Sequence, residues 1–233
     1  LVLCTRLDGE KNKTDSEAKP MVSRLLRSTG WATLGTIISR GFTLIASIVI
    51  ARYLGKESFG EFGMIYSTIL MGSLFSGLGL GLTATKSVAN FKIKEPERAG
   101  RIIVLTTIVA VVSGLIFMLI FILLAPWLSD RSLSAPHLAS FLQITSLSLL
   151  VGAISGAHQG ALAGLEAFKS IARINIIAAM LGLPLAFVGV HYDGLRGALL
   201  AFVLTQLVSS ILSWIAICQE AHKNGISLGR ITS

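Results

Sequence analysis

Arg40 stands near the centre of GTIISRGFTLIAS, residues 35–47, a permanent cation in an otherwise apolar stretch. On a helix, positions three and four apart share a face. Thr29, Thr33, Thr36, Arg40, Thr43 and Ser47 then form one polar stripe, with Leu34, Ile38, Ile45 and Val49 on the other side. An ionisable residue deep in a membrane usually faces a water-filled cavity or a partner and marks a substrate path. The competing expectation is an arginine bonded to neighbouring carbonyls as interhelical glue. Arg40, Thr36, Thr43 and Ser47 are therefore the first candidates for contact with a substrate.

Further polar positions sit within apolar sequence. Thr145, Ser148, Gly152, Ser155 and Gln159 share a face, with His158 beside it. Gln159 and His158 either line a cavity mouth or hydrogen-bond between helices. Asn175 falls on a small-residue face with Ala172, Ala179 and Gly182, and Gln206, Ser209 and Ser213 share one side of a later segment. Together these faces predict a wet centre, with Gln159 and Asn175 added to the candidate binding residues. Gly152, Gly156, Gly160 and Gly164 recur every fourth residue, a spacing that lets helix backbones approach closely and carries no chemistry.

Other chemistry is missing from the sequence. GLGLG at 77–81 lacks the GxGxxG spacing and a preceding strand, so its glycines predict close packing or bending rather than phosphate binding. No Walker A, HExxH or GxSxG motif occurs, and Asp and Glu are confined to tails and loops. Cys4 and Cys218 are far apart and imply neither a disulfide framework nor a zinc site. No catalytic residue, metal or cofactor is expected.

The elements that must position these residues follow from composition. The chain of 233 residues is 53% hydrophobic and 14% charged, with mean hydropathy +0.76, against roughly 25% charged in a soluble domain. Apolar windows near 30–50, 62–85, 102–128, 138–165, 171–190 and 197–218 each reach the ~20 residues that cross a bilayer. Nothing alternates as a membrane β-barrel requires. The expectation is an all-α polytopic membrane protein of six transmembrane helices over 29–218. A polar basic tail, 1–28, precedes them, with 1–20 expected to be disordered, and a short tail, 219–233, follows. The chain opens on Leu1, and Met21 would make a natural start, which reads as a fragment or a misplaced start.

Lys and Arg concentrate in the tail before the first window, in loop 86–101, in turn 166–173 and after 218. The opposite loops hold Arg52, Lys56, Arg131 and Arg196. This asymmetry places both termini in the cytoplasm. It also accounts for the net charge of +8 without a nucleic-acid partner, and favours contact with anionic membrane lipids. The outer loops 51–61, 129–137 and 191–196 leave no room for a catalytic domain.

TIISRGFTLIASIVIARYLGKESFGEFGMIYSTI, followed by GLGLGLTATKSVANF, resembles the start of the Wzx-type polysaccharide flippases of the multidrug/oligosaccharidyl-lipid/polysaccharide exporter superfamily. ARYLG-x-x-x-FG-x-F is the strongest element, and QGALAGLEAFKSIARINI matches the family's pattern around a cytoplasmic turn. The resemblance covers 21–230. It implies transport, across a bacterial inner membrane, of an oligosaccharide repeat unit linked by pyrophosphate to undecaprenol, for surface polysaccharide such as O-antigen and lipopolysaccharide. It further implies a polysaccharide polymerase and chain-length proteins as partners. Arg40 would then meet the dianionic linker, since an arginine fork pairs bidentately with phosphate. The family carries two six-helix lobes, so the chain reads as the N-terminal lobe. Lipid II flippases share an SR-containing first helix but usually follow it with an acidic DAF-like start, where this chain reads ESFGEFG. Multidrug antiporters of the superfamily tend to place an acidic residue inside this lobe, which this chain lacks. A truncated lobe that only binds partners is the expectation from a different class.

Overall fold

The computed structural model describes residues 33, 35–77, 79–92, 95–131 and 135–223, with the backbone alone at 2–32 and 34. Helix follows helix: α1 (Val2–Ser76), α2 (Leu80–Phe91), α3 (Pro96–Arg131), a 3₁₀ turn at Pro136–Leu138, α4 (Ala139–Thr145), α5 (Leu147–Gly164) and α6 (Phe168–Lys223). Four of these stretches are long and apolar enough to cross a membrane: 35–76, 96–131, 136–164 and 168–223. Helical backbone begins at Val2, where disorder was expected. Lys11, Lys13, Lys19, Glu10 and Glu17 lose little rotamer freedom in a helix, so this polar composition suits a solvated helix as well as a disordered tail. At the other end α6 continues to Lys223, into the tail expected from 219, and 224–233 lie outside the described residues.

Two of the long helices fold back on themselves. Gly55 takes φ 75°, ψ 179°, a conformation only glycine adopts cheaply, and α1 reverses there. Ile50 before the break packs in one cluster with Phe59 and Phe62 after it. In α6 the break falls at Asp193 and Gly194, the latter at φ 52°, ψ −126°. A Cβ on Gly197 would overlap the carbonyl of Gly189, although eight residues of straight helix span about 12 Å. The two limbs of α6 are thus an antiparallel hairpin pressed together backbone to backbone. Helix α1 stops at Ser76 and α2 starts at Leu80, with Gly79, at φ 67°, opening it.

α5 is the central helix, touching α1, α2, α3, α4 and α6. Small residues let it sit there. Gly160 and Gly164 lie against Gly81, Thr85 and Val88 of α2, and Gly114 of α3 meets Leu150 and Ala153. Hydroxyls fasten neighbouring helices: Thr85 of α2 donates to the Gly160 carbonyl of α5 (2.9 Å), Ser76 of α1 to Leu149 of α5 (3.3 Å) and Ser113 of α3 to Ser76 (3.1 Å). Between helices in lipid, such small-residue contacts and hydrogen bonds do the work that the hydrophobic effect does in water. Three apolar clusters fill the remaining interior. One is centred on Ile103, Leu162 and Ile217, a second on Ile65, Leu142 and Leu199, and a third on Ile50, Ala186 and Val190. Leu105, Leu123, Val112 and Ile116 of α3 point outward and exposed, as a lipid-facing surface must.

Candidate functional site

The hairpin of α1 and the hairpin of α6 enclose a cavity of about 420 Å³, within the roughly 300–1,000 Å³ of small-molecule sites. The breaks at Gly55 and Gly194 create it. Each folds a helix into two limbs, and the third apolar cluster joins the two hairpins. A second depression, over Trp214–Lys223, is lined by α6 alone and is more open, so it lacks opposing walls.

Thr43 and Ser47 of the expected polar stripe line the cavity. Arg40 and Thr36 do not; both are exposed on α1, the arginine one turn before Thr43. Among the described residues the guanidinium makes no ion pair and no hydrogen bond. The side chain of Thr29 lies outside the described residues. Gln159 on α5 and Asn175 on α6 are half-buried and away from the cavity lining. The structure thus gathers Thr43 and Ser47, places Arg40 and Thr36 further along the same limb, and leaves Gln159 and Asn175 apart.

Gln206 and Thr205 of α6 complete the polar lining, with the Gln206 amide reaching toward Gly152 of α5. The hydroxyl of Thr43 donates to the Ser39 carbonyl (2.9 Å) and that of Thr205 to Ala201 (2.7 Å). Their protons are spent within the helix, and the oxygens remain as acceptors. No charged side chain lines the cavity among the described residues.

Besides Thr205, the residues that sequence reasoning missed are aromatic. Phe59 stacks with Phe62 (6.4 Å between centroids, 18°), Phe62 with Tyr66 (6.0 Å, 12°), and Tyr66 meets Phe202 edge-on (5.3 Å, 77°). All four line the cavity. The signal was present: 59, 62 and 66 follow the three-and-four spacing of one helical face, inside the FGEFGMIY segment.

A contrasting site lies on α5. His158 is 3% exposed and Ser155 5%. Among the described residues neither the imidazole nitrogens nor the Ser155 hydroxyl have a hydrogen-bond partner. The Ser210 backbone is the polar group that approaches His158, without reaching hydrogen-bond geometry, and the Trp214 ring packs at 5.3 Å. The two alternatives open for His158, cavity mouth or interhelical bond, are both unmet: it is buried and unbonded.

Comparison with known proteins places this architecture. An outward-facing multidrug resistance MATE family transporter of the MOP superfamily superposes with TM-score 0.71 at 18% identity, over 81% of this chain and 44% of that one. A crystal structure of a MATE point mutant gives 0.65 at 18% identity, over 82% and 46%. Both show the fold, that of a multi-pass helical membrane protein. Stage V sporulation protein B of Bacillus subtilis (strain 168) is 23% identical over 197 residues, 80% of this chain and 37% of its own length. The chain therefore spans less than half of each of these proteins. Residues 25–231 match the family described as polysaccharide biosynthesis protein, and with nearly the whole length matched the chain belongs to that family.

Proposed function

We propose that the chain forms one lobe of a flippase that moves a pyrophosphate-linked, undecaprenol-anchored oligosaccharide from the cytoplasmic to the periplasmic leaflet. Six crossings of the bilayer would come from the two limbs of α1 (the second continued by α2), from α3, from α4 with α5, and from the two limbs of α6, with both termini cytoplasmic, and a second lobe would close the cleft. Family membership supports a polysaccharide precursor as cargo. The observation that carries the reading is Arg40, an exposed cation one turn from the cavity with no ion pair or hydrogen bond among the described residues. A cation at membrane depth without a partner leaves a large solvation debt, which an anionic substrate would offset. Its fork suits a pyrophosphate, while sugar hydroxyls would meet the polar positions nearby and the prenyl chain would stay in lipid. Polymerase and chain-length proteins would act on the product.

The shared MATE fold raises a drug antiporter as the competing reading. A cationic drug calls for a carboxylate, and no Asp or Glu lines the cavity among the described residues. The described carboxylates, from Glu57 to Glu220, lie at the ends of the helical limbs.

The test uses the intact parent protein carrying Arg40→Ala or Arg40→Lys at matched membrane levels. Charge-assisted hydrogen bonds contribute about 1.5–3 kcal/mol. Arg40→Ala should therefore slow flipping by roughly ten- to a hundredfold, with lipid-linked oligosaccharide accumulating on the cytoplasmic leaflet and surface polysaccharide lost. Arg40→Lys, which keeps the charge but not the fork, should fall between. Wild-type flipping in Arg40→Ala would remove the arginine from the site.

A further inference from the structure

Resting on that reading, we infer that the cavity between the two hairpins is a specificity subsite for an uncharged sugar ring of the cargo, separate from the position of its pyrophosphate. Among the described residues the cavity has faces, handles and no charge. Phe59, Phe62 and Tyr66 run along one wall and Phe202 meets them from α6. Aromatic faces carry negative π-density and attract weakly positive C–H groups, which a pyranose presents on its flat sides. Thr43 and Thr205 offer acceptor oxygens whose own protons are already committed. Gln206 supplies an amide that both donates and accepts. Together they match the mixed donors and acceptors of sugar hydroxyls.

The other parts of the cargo fit this space poorly. A pyrophosphate or a uronic acid carboxylate would enter without a counter-ion, and an unpaired buried charge is among the least favourable groups to desolvate. A prenyl tail would cover Thr43, Thr205 and Gln206 and leave their polar atoms unmet. Arg40 lies one helical turn outward from Thr43, about 5–6 Å between side-chain roots. The anionic linker can therefore rest beside the cation while the attached ring occupies the cavity. Selection among repeat units would then rest at least partly on these α1 and α6 residues, and would favour a neutral hexose or N-acetylhexosamine over a hexuronic acid.

The experiment measures binding to the purified full-length parent protein in lipid nanodiscs. Three synthetic probes share one prenyl-pyrophosphate and end in a neutral hexose, a hexuronic acid or no sugar. Wild type should hold the hexose lipid at least tenfold more tightly than the other two. Tyr66→Ala and Gln206→Leu should erase that preference and leave the sugarless lipid unchanged. Tyr66→Phe, which keeps the ring and is the safer variant for folding, should retain most of it. Arg40→Ala should weaken all three probes alike. If wild type binds the three equally, or Tyr66→Ala and Gln206→Leu weaken all three equally, the subsite is wrong while the flippase reading stands. If none of the three binds but tetraphenylphosphonium does, and Tyr66→Ala abolishes that, the flippase reading fails and the subsite fails with it.

Discussion

Ser155 and His158 show how a buried residue can carry polarity without a task in the cavity. They sit three apart on α5, both nearly inaccessible and both unbonded. An unmet buried polar group costs about 1–3 kcal/mol, whereas replacing it by an apolar group of similar shape is neutral or stabilising. Ser155→Ala removes such a hydroxyl and improves helix propensity by a few tenths of a kcal/mol. It should raise stability by about 1 kcal/mol, seen as a thermal midpoint in detergent roughly 2–4 °C higher. His158→Leu is a closer balance. It relieves two unbonded nitrogens and gives up the ring contact with Trp214, worth about 0.5–1.5 kcal/mol, so the midpoint should hold or rise slightly. A fall of several degrees in either variant would mean that a tightly held water satisfies these atoms. The same scale shows what spacing alone can reveal. The three-and-four rule put Thr43 and Ser47 on the face with Arg40, and both line the cavity. It could not place Gln159 and Asn175, because the rotation of a helix about its axis is fixed by its neighbours.

At the scale of elements, the four-residue glycine stripe of α5 was legible as a packing signal, but its four positions are unequal. A Cβ on Gly160 would overlap the Gly81 backbone, whereas one on Gly156 meets nothing within 4 Å. Gly160→Ala should therefore push α2 from α5 and break the Thr85–Gly160 bond, a loss of several kcal/mol read as little folded protein by size exclusion. Gly156→Ala should be tolerated or gain up to about 1 kcal/mol, the helix-propensity difference. Equal behaviour of the two variants would mean that α2 does not pack here. The reason the sequence could not rank them is that the partner, Gly81, lies 79 positions earlier. The apolar windows were similarly visible as segments and blurred as elements. Window 62–85 reads as one helix, yet α1 ends at Ser76 and α2 begins only at Leu80. Hydropathy registers composition, and GLGLG is apolar throughout; it is blind to a left-handed φ. The aromatic wall was missed for a related reason: phenylalanines in a membrane segment look lipid-facing until a second hairpin covers them.

At the scale of the whole molecule, contacts at the turns sort the limbs into two ends. Lys92 pairs with Glu166 at 3.1 Å, joining the α2–α3 turn to the α5–α6 turn. Glu61 meets His137 at 2.7 Å, and Tyr53 packs on Phe187 and His191, joining the turn at 55, the entry to α4 and the turn at 193. Turns therefore alternate between the two ends, as limbs that cross a bilayer in succession would place them. Positive charge is denser at the Lys92 end, which the proposed orientation, by the positive-inside bias, would put in the cytoplasm. The check is labelling with a membrane-impermeant maleimide in the parent protein, with Cys4 and Cys218 first changed to serine. Lys56→Cys and Asp193→Cys, both exposed, should react in intact spheroplasts. Glu97→Cys and Lys169→Cys, also exposed, should react only after permeabilisation. Full inversion of the pattern would keep the hairpins and reverse the direction of transport drawn from them. Labelling of Lys56→Cys and Glu97→Cys from the same side would instead break the alternation, and with it the six crossings. Arg40 ties this scale back to the first. In the proposed flippase, its path to an anionic linker on the cytoplasmic leaflet would depend on the limb 35–54 running from the cytoplasmic end to the turn at Gly55. The labelling outcome therefore decides whether the cation lies where the cargo enters or beyond it.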